Sequence, residues 1–317
     1  MKLAKWHGLG NAYLVVEESA LPAPLTTEAI SLLCDRCRGV GSDGILLRCP
    51  PTGMVAGAVT RMRIFNPDGS ESEMCGNGIR IFARYLEAAG MVAAGSEFTV
   101  ETLAGPIRPR LLGSGMVRVD MGWARFASAN IALDRLGADA ATGVVGAVLE
   151  AAGLSYRFTF VDVGNPHCII VVDDPAAVDL PTVGAAIERH PLFPNRVNVE
   201  FIRPEPDGSV RMRVWERGVG ETQACGTGAT AVGAAAVRLG LAVSPVTVRL
   251  LGGDLVIEVD TGGGLGAADV SAGATGVGPD AVGGGRVFKT GPAEEIFTCT
   301  LSDELLLRLG WAASGAN

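Results

Sequence analysis

The sequence predicts an α+β protein of two pseudo-symmetric half-domains, and three observations carry that expectation. The first is an internal repeat, which sets the architecture wherever it occurs. Arg61 to Gly90, RMRIFNPDGSESEMCGNGIRIFARYLEAAG, returns 150 positions later as Arg211 to Gly240, RMRVWERGVGETQACGTGATAVGAAAVRLG. Laid over one another without a gap, the copies agree at Arg61/Arg211, Met62/Met212, Arg63/Arg213, Glu71/Glu221, Cys75/Cys225, Gly76/Gly226, Gly78/Gly228 and Gly90/Gly240. The second is the order of patterns inside each copy: a short strand, a turn-rich loop, Cys-Gly-x-Gly, then a helix closed by glycine, the common C-cap residue. The third is an independent echo, in which Gly10-Asn11 precedes the strand Tyr13 to Val16 as Gly164-Asn165 precedes Ile169 to Val172.

In chain order, residues 3–17 read as a strand, a Gly-Asn turn and a second strand; Asn suits such turns because it tolerates left-handed backbone. Residues 26–38 form a predicted helix holding Cys34 and Cys37. A lone Cys-x-x-Cys is a weak metal signal, since a closed zinc site needs four ligands. GVGSDGIL (39–46) is a turn leading into a strand, and 98–120 alternate like strands. The Ala/Gly-rich stretch 127–155 reads as a linker and a helix. Residues 261–285, TGGGLGAADVSAGATGVGPDAVGGG, cannot bury much apolar surface and read as a flexible insertion. The glycine-rich run lacks the GKS/T ending of a phosphate loop. Ser302 to Trp311 reads as a short helix.

Composition bounds the function. Hydrophobic residues make up 48% and charged residues 19%, a balance typical of a soluble globular protein, and the length allows two domains. A net charge of −8 argues against nucleic acid or an acidic membrane as partner. The N-terminus enters KLAKWHGLGN without an apolar run, so no signal peptide is expected, and no stretch is long enough to span a bilayer. Seven scattered cysteines do not form a disulfide framework and suit a reducing cytoplasm.

The repeat also points to chemistry. A cysteine at a helix start meets free N–H groups and the positive end of the helix dipole, which stabilise a thiolate. The same N–H groups hold a carboxylate, and flanking glycines let a ligand approach the backbone. Two such thiols suit inversion of a carbon beside a carboxylate: Cys75 or Cys225 removes a proton from one face, and the other returns one to the opposite face. The bland alternative is that both are small buried hydrophobes, but matched Cys-Gly-x-Gly contexts in a repeat disfavour it.

MCGNGIR (74–80) and ACGTGA (224–229) resemble the two active-site signatures of the diaminopimelate epimerase family, cofactor-independent amino-acid epimerases with two cysteine acid/bases. The resemblance runs along the chain through HGLGN (7–11), FNPDGS (65–70), GNPH (164–167), VNVEF (197–201), WERGVGET (215–222) and KTGPAEEIF (289–297), in the family's order. It implies two half-domains, each a mixed sheet or barrel wrapped around a central helix, with the active site in the cleft between them. The expected boundaries are 1–120 with a return strand at 286–301, 121–260, the insertion 261–285 and a tail at 302–317.

The resemblance further implies that His167 and Glu216 stand close to one thiol each and tune its protonation. The substrate carboxylate would rest on Gly76, Asn77, Gly226 and Thr227. Arg217, which can fork onto a carboxylate, Glu216, Asn66, Asn165 and Asn198 would bind the distal amino-acid pole, and Asn11 would line the site. This chain departs from the family at Ala12, where an acidic residue is common, and at Gly44, where some members carry a substrate-contacting Gln. No cofactor and no metal are expected: a pyridoxal phosphate enzyme needs a Schiff-base lysine, and Lys2, Lys5 and Lys289 lie in no phosphate loop. The expected reaction interconverts LL- and meso-diaminopimelate, in a cytoplasmic homodimer. The alternatives are a proline, hydroxyproline or histidine enzyme of the same architecture, or a non-catalytic thiol or metal-binding protein.

Overall fold

The computed structural model describes residues 1–261 and 284–311; nearly all of the insertion expected at 261–285, and residues 312–317 of the tail, lie outside the described residues. The chain divides into two compact units, Met1–Val119 with the stretch from Gly291 onward, and Asp120–Thr290.

The first unit opens with β1 (Lys2–Gly8) and β2 (Asn11–Glu17), joined by a two-residue turn. Leu9 and Gly10 both have positive φ, 56° and 84°, as a type I′ hairpin requires. The left-handed positions are therefore Leu9 and Gly10. Asn11 already belongs to the strand, so its side chain is not there for turn geometry. Helix α1 (Thr27–Cys34) is capped by the Thr26 hydroxyl, which accepts from the Ala29 N–H at 3.2 Å. The helix expected at 26–38 stops here because the Asp35 carboxylate accepts from the N–H groups of Cys37 and Arg38 and turns the chain. Cys34 is buried and Cys37 exposed, so the pair shares no face.

Strands β3 (Ile45–Cys49), β4 (Ala58–Phe65), β5 (Glu71–Ser72), β6 (Thr99–Thr102) and β7 (Gly105–Ile107) extend the sheet in the order β1-β2-β3-β4-β6-β7, with β5 beside β4. Helix α2 (Gly76–Ala88) lies on β1, β2 and the short β8 (Pro109–Leu111), which pairs with β9 (Met116–Trp123). Its apolar face, Ile79, Ile81, Phe82, Ala83 and Leu86, is buried.

In the second unit, residues 127–155 hold less helix than expected. Only the one-turn α3 (Leu133–Leu136) forms there. Strand β10 (Ala147–Ala151) follows, turning through Ala152 and Gly153, both with positive φ, into β11 (Leu154–Asp162). The signal lay in a two-residue alternation: Leu149 and Ala151 are buried, Val148 and Glu150 exposed. The unit continues through β12 (Pro166–Val171), α4 (Leu180–Glu188), β13 (Asn198–Pro204), β14 (Val210–Glu216), β15 (Gly220–Glu221), α5 (Gly226–Arg238), β16 (Val246–Leu250), β17 (Gly253–Asp260) and β18 (Arg286–Pro292).

The duplication extends to pairing sense. From β1 to β7 the paths β1/β2, β2/β3, β3/β4, β4/β6 and β6/β7 alternate antiparallel and parallel. The paths β11/β12, β12/β13, β13/β14, β14/β16 and β16/β17 repeat the same series. The residues shared by the repeats hold equivalent posts: Arg63 pairs with Glu71 and Arg213 with Glu221, each at 2.8 Å across the strand-to-loop return.

The expected return strand at 286–301 is two strands. β18 runs antiparallel to β17 within the second unit, matching Val256 with Thr290. Only β19 (Glu294–Thr300) pairs with β1. Ser302 then caps α6 (Asp303–Arg308), and Trp311 is buried with Leu3, Leu33 and Leu301.

Helix α5 touches β11, β12, β13, β14, β16 and β17, so the second sheet wraps it, and a wrapped helix must be apolar all round. Its Ala/Gly sequence lets the strands come close. At Gly233 a methyl group would sit 2.4 Å from Ile257 Cγ2. Gly→Ala in an open helix gains about 1 kcal/mol, whereas overpacking a core costs roughly 1–3 kcal/mol. Gly233→Ala is therefore expected to lower stability, read as a fall in the urea midpoint. A rise would contradict the close packing.

Candidate active site

Each repeated cysteine is the N-cap of its helix. Cys75 has φ −136° and ψ 117°, Cys225 φ −109° and ψ 109°, and each sulfur accepts the N–H of the third residue on, Gly78 or Gly228, at 3.3 Å. The first N–H groups of a helix have no intrahelical partner. Gly76 and Gly226-Thr227 therefore lie where such donors adjoin each thiol. The sulfur also explains the third-position glycines. A Cβ on Gly78 would meet Cys75 Cβ at 3.2 Å and Leu46 Cδ2 at 3.1 Å; one on Gly228 would meet Glu200 Oε1 at 2.7 Å and Cys225 Sγ at 3.1 Å.

Around Cys75 the first unit assembles a cation and a phenol. The Tyr13 hydroxyl lies 3.4 Å from Cys75 Sγ. Arg80 is fully buried, and its guanidinium donates to the Gly76 carbonyl and Asn77 Oδ1, both at 3.1 Å. Burial lowers Arg80 to about 10, with attraction to Cys75 opposing it, so Arg80 is a cation at neutral pH. Asn77 Nδ2 donates to Asn11 Oδ1 at 3.2 Å, and Asn11 Nδ2 to Asp43 at 3.1 Å. Asp43 also accepts the Ala12 N–H at 2.8 Å, so Asn11 stays oriented although position 12 has no carboxyl of its own. At Gly44 a Cβ would strike Tyr13 Cε1 at 2.6 Å. Tyr13 occupies the space a side chain at 44 would need.

Cys225, at 4% exposure, has different neighbours. Burial first, then the Glu216 and Glu200 carboxylates, hold its thiol well above the ordinary range. His167, buried on β12, bonds Glu200 Oε1 through Nδ1 at 2.6 Å and Asn165 Oδ1 through Nε2 at 3.0 Å. Asn165 Nδ2 reaches Thr227 Oγ1 at 3.3 Å, and Thr227 Oγ1 lies 3.6 Å from the sulfur. The Arg217 N–H donates to Asn198 Oδ1 at 2.9 Å. The exposed Arg217 guanidinium donates to the Asn195 carbonyl, and no ion pair joins it to a carboxylate among the described residues. Buried Glu188 fixes the preceding loop by accepting from Trp215 Nε1 at 2.8 Å and the Gly218 N–H at 3.0 Å.

The diaminopimelate epimerase family profile matches residues 3–127 and 159–274. The diaminopimelate epimerase of Moorella thermoacetica is 43% identical over 305 residues, covering 94% of this chain and 98% of the relative. The chain belongs to the diaminopimelate epimerase family. The diaminopimelate epimerase of Pelotomaculum thermopropionicum is 44% identical over the same shares of the two chains. Among solved structures, a probable proline racemase from Agrobacterium radiobacter matches with TM-score 0.62 at 17% identity, covering 95% of this chain and 93% of its own. A hydroxyproline epimerase from Agrobacterium vitis matches with TM-score 0.61 at 18% identity, covering 94% and 91%. At such identities the likeness is one of fold.

Two clusters contain most of the expected site residues. The first unit joins Cys75, Gly76, Asn77 and Asn11; the second joins Cys225, Gly226, Thr227, Asn165 and His167, with Glu216 acting on Cys225 and Asn198 on Arg217. Asn66 belongs to neither network: its amide donates to the Ser70 and Ser72 hydroxyls of its own turn. The resemblance assigns Glu216 and His167 one thiol each. Glu216 acts on Cys225, and His167 reaches that sulfur's surroundings through Glu200 and Asn165. Sequence reasoning missed Arg80, Tyr13 and Glu200. Charged residues inside the apolar runs Ile79 to Phe82 and Val197 to Ile202 were the available signals for Arg80 and Glu200.

Cys37 is exposed and Cys75 half-buried, whereas Cys225 is buried and held protonated beyond the usual thiol range. At pH 8 iodoacetamide is expected to modify exposed Cys37 and half-buried Cys75 well before buried Cys225, as peptide mass spectrometry would show. Equal labelling of Cys75 and Cys225 would refute the environment assigned to Cys225.

Proposed function

We propose that this chain is an isomerase that interconverts LL- and meso-2,6-diaminopimelate, a step serving lysine and peptidoglycan precursor synthesis, with Cys75 and Cys225 as the two acid/bases. Relatives bearing that name at 40–45% identity over most of the chain support the substrate, and one observation supports the chemistry. Both repeated cysteines cap a helix whose first N–H groups adjoin the sulfur.

Inversion of an α-carbon needs a base on one face and an acid on the other. A thiolate takes the α-proton, the pair of electrons left on carbon is stabilised by the adjoining carboxylate, and the second thiol delivers a proton to the opposite face. The N–H groups of Gly76, Asn77, Gly226 and Thr227 bind that carboxylate, and they stabilise the charge that builds on its oxygens. The environments suggest a division at rest. Cys225, buried beside Glu216 and Glu200, is the thiol. Cys75, beside the Arg80 cation and the Tyr13 hydroxyl, is its acid/base partner. The isomer of opposite configuration requires the reverse assignment.

The distal amino-acid pole needs partners of its own. Arg217, unpaired with any described carboxylate, suits the distal carboxylate; Glu216 suits the ammonium, and Asn66, Asn165 and Asn198 complete the polar contacts. Both thiols must be reduced to work, which a cytoplasmic setting provides. A homodimer is also proposed. The strand Glu294–Thr300 ends the sheet order of its unit with Ile296 47% and Phe297 39% exposed, an edge that a second copy can cover.

The deciding test follows the α-proton signal of LL-diaminopimelate by NMR in heavy water with reduced protein, and runs meso-diaminopimelate, proline and histidine alongside. Loss of the signal with growth of the meso isomer is expected, and Cys75→Ala or Cys225→Ala should each lower turnover about 10²–10⁴-fold or more. Exchange on proline or histidine alone would overturn the substrate. Arg217→Met should raise KM by roughly tenfold to a hundredfold, the worth of charged hydrogen bonds of about 1.5–3 kcal/mol, while kcat falls less. An unchanged KM would remove Arg217 from the distal site.

A further inference from the structure

Glu200 lies on β13 at 0% exposure, between the buried apolar side chains of Val199 and Phe201. One oxygen touches His167 Nδ1 at 2.6 Å; the other, Oε2, has no hydrogen-bond partner among the described residues. An ionised carboxylate with a buried bare oxygen is strongly disfavoured, because nothing replaces the water it has lost. A protonated one leaves only a carbonyl oxygen unpaired, a far smaller penalty. Burial accordingly pushes the Glu200 carboxyl up, with the His167 contact opposing it.

The neighbouring hydrogen bonds fix the rest of the proton arrangement. Asn165 directs Nδ2 to Thr227 Oγ1, so the atom facing His167 is Oδ1, an acceptor. His167 Nε2 must then carry hydrogen. Nδ1 is left as the acceptor of the Glu200 proton.

We propose that Glu200 is a positioning residue that, as a neutral acid, donates to His167 Nδ1 and so holds the imidazole in its neutral Nε2–H form, aiming the Asn165 amide hydrogens at Thr227 and the substrate. This rests on the proposed epimerase reading and deepens it. Asn165 Nδ2 carries two hydrogens; one goes to Thr227, and the second serves the substrate beside Cys225. Without Glu200, the proton of His167 can move to Nδ1. Nε2 then becomes an acceptor, and Asn165 must turn its carbonyl toward the substrate, where it repels a carboxylate. The arrangement also leaves the buried surroundings of Cys225 with no second full charge from this pair. The other titratable groups acting here are Glu216 on Cys225 and the buried thiol of Cys168, which Glu200 also influences.

The test is ¹⁵N NMR of the imidazole nitrogens in the substrate-free full-length protein at neutral pH. With three histidines in the chain, His7, His167 and His190, the spectrum is assignable by comparison with His7→Gln and His190→Gln. The expected result is a protonated Nε2 and an unprotonated, strongly hydrogen-bonded Nδ1 at His167. An imidazolium, or hydrogen on Nδ1 alone, overturns the proposal without any variant at Glu200. Glu200→Gln keeps a donor for Nδ1 and should retain the tautomer. Glu200→Leu should lose it and raise KM at least tenfold beyond Glu200→Gln, with a smaller change in kcat. If the two variants behave alike in both tautomer and KM, the proposal fails. The tautomer is read without turnover, so its outcome is separate from whether diaminopimelate is the substrate.

Discussion

A sulfur atom at the N-cap is the constraint on which the two repeats depend. Ser, Thr, Asp or Asn caps a helix better, by up to about 1–2 kcal/mol over a poor cap. The helices that follow begin Gly-Asn-Gly and Gly-Thr-Gly, and each glycine costs about 1 kcal/mol against alanine. These starts persist because the glycine at the third position must admit the sulfur, which lies within 3.5 Å of where its Cβ would be in both copies. Helix stability therefore comes from burial. Ile79, Ile81 and Phe82 anchor α2 in the first unit, and the sheet wrapped on α5 anchors the second. The strands exist around these helices to hold two weakly capped starts in place.

On that shared frame the two thiols acquire different surroundings through three replacements. Arg80 and Thr230 occupy the same helical post, and both bond the carbonyl of the first helical glycine, at 3.1 and 2.8 Å. One brings a buried cation, the other a neutral hydroxyl. Leu46 and Glu200 both approach the third glycine, one apolar and the other acidic. Tyr13 follows Asn11 by two residues, as His167 follows Asn165. The phenol touches its sulfur directly, whereas the imidazole is turned onto Glu200. Duplication kept the backbone geometry and let the electrostatics diverge.

This divides what the sequence made legible from what it did not. The cysteines, their glycines and the hairpin turns answer to local backbone needs, and local needs leave local patterns. The repeat of Arg63 and Glu71 as Arg213 and Glu221 was visible, although its meaning as a matched ion pair needed the folded strand return. Glu200 and Arg80 were hidden because their roles depend on partners brought in from other elements: a histidine on the neighbouring strand for one, the Pro292 carbonyl near the chain's end for the other. The helix expected at 26–38 overran because Asp35 ends it through a side-chain turn that apolar periodicity does not register. The strand at 147–151 was masked by the alanine and glycine around it, whose composition suggested a linker, although buried Leu149 and Ala151 alternate with exposed Val148 and Glu150.

The asymmetry between the thiols bears on direction. A catalyst cannot move the equilibrium between two isomers, so unequal thiols change only which protonation form waits for substrate. Each unit of pKa separation is worth 1.36 kcal/mol, a tenfold bias in that population. A bias of several units would starve one direction of its competent form. In the proposed site a bound substrate would offer a correction: its ammonium group near Glu216 would offset one of the carboxylates that hold the Cys225 proton in place. If Glu200 is neutral, Glu216 is the remaining carboxylate acting on that sulfur, and one substrate ammonium would suffice to balance it. In that scheme the protonation of a residue that never meets the substrate determines whether substrate binding alone can bring the two thiols level.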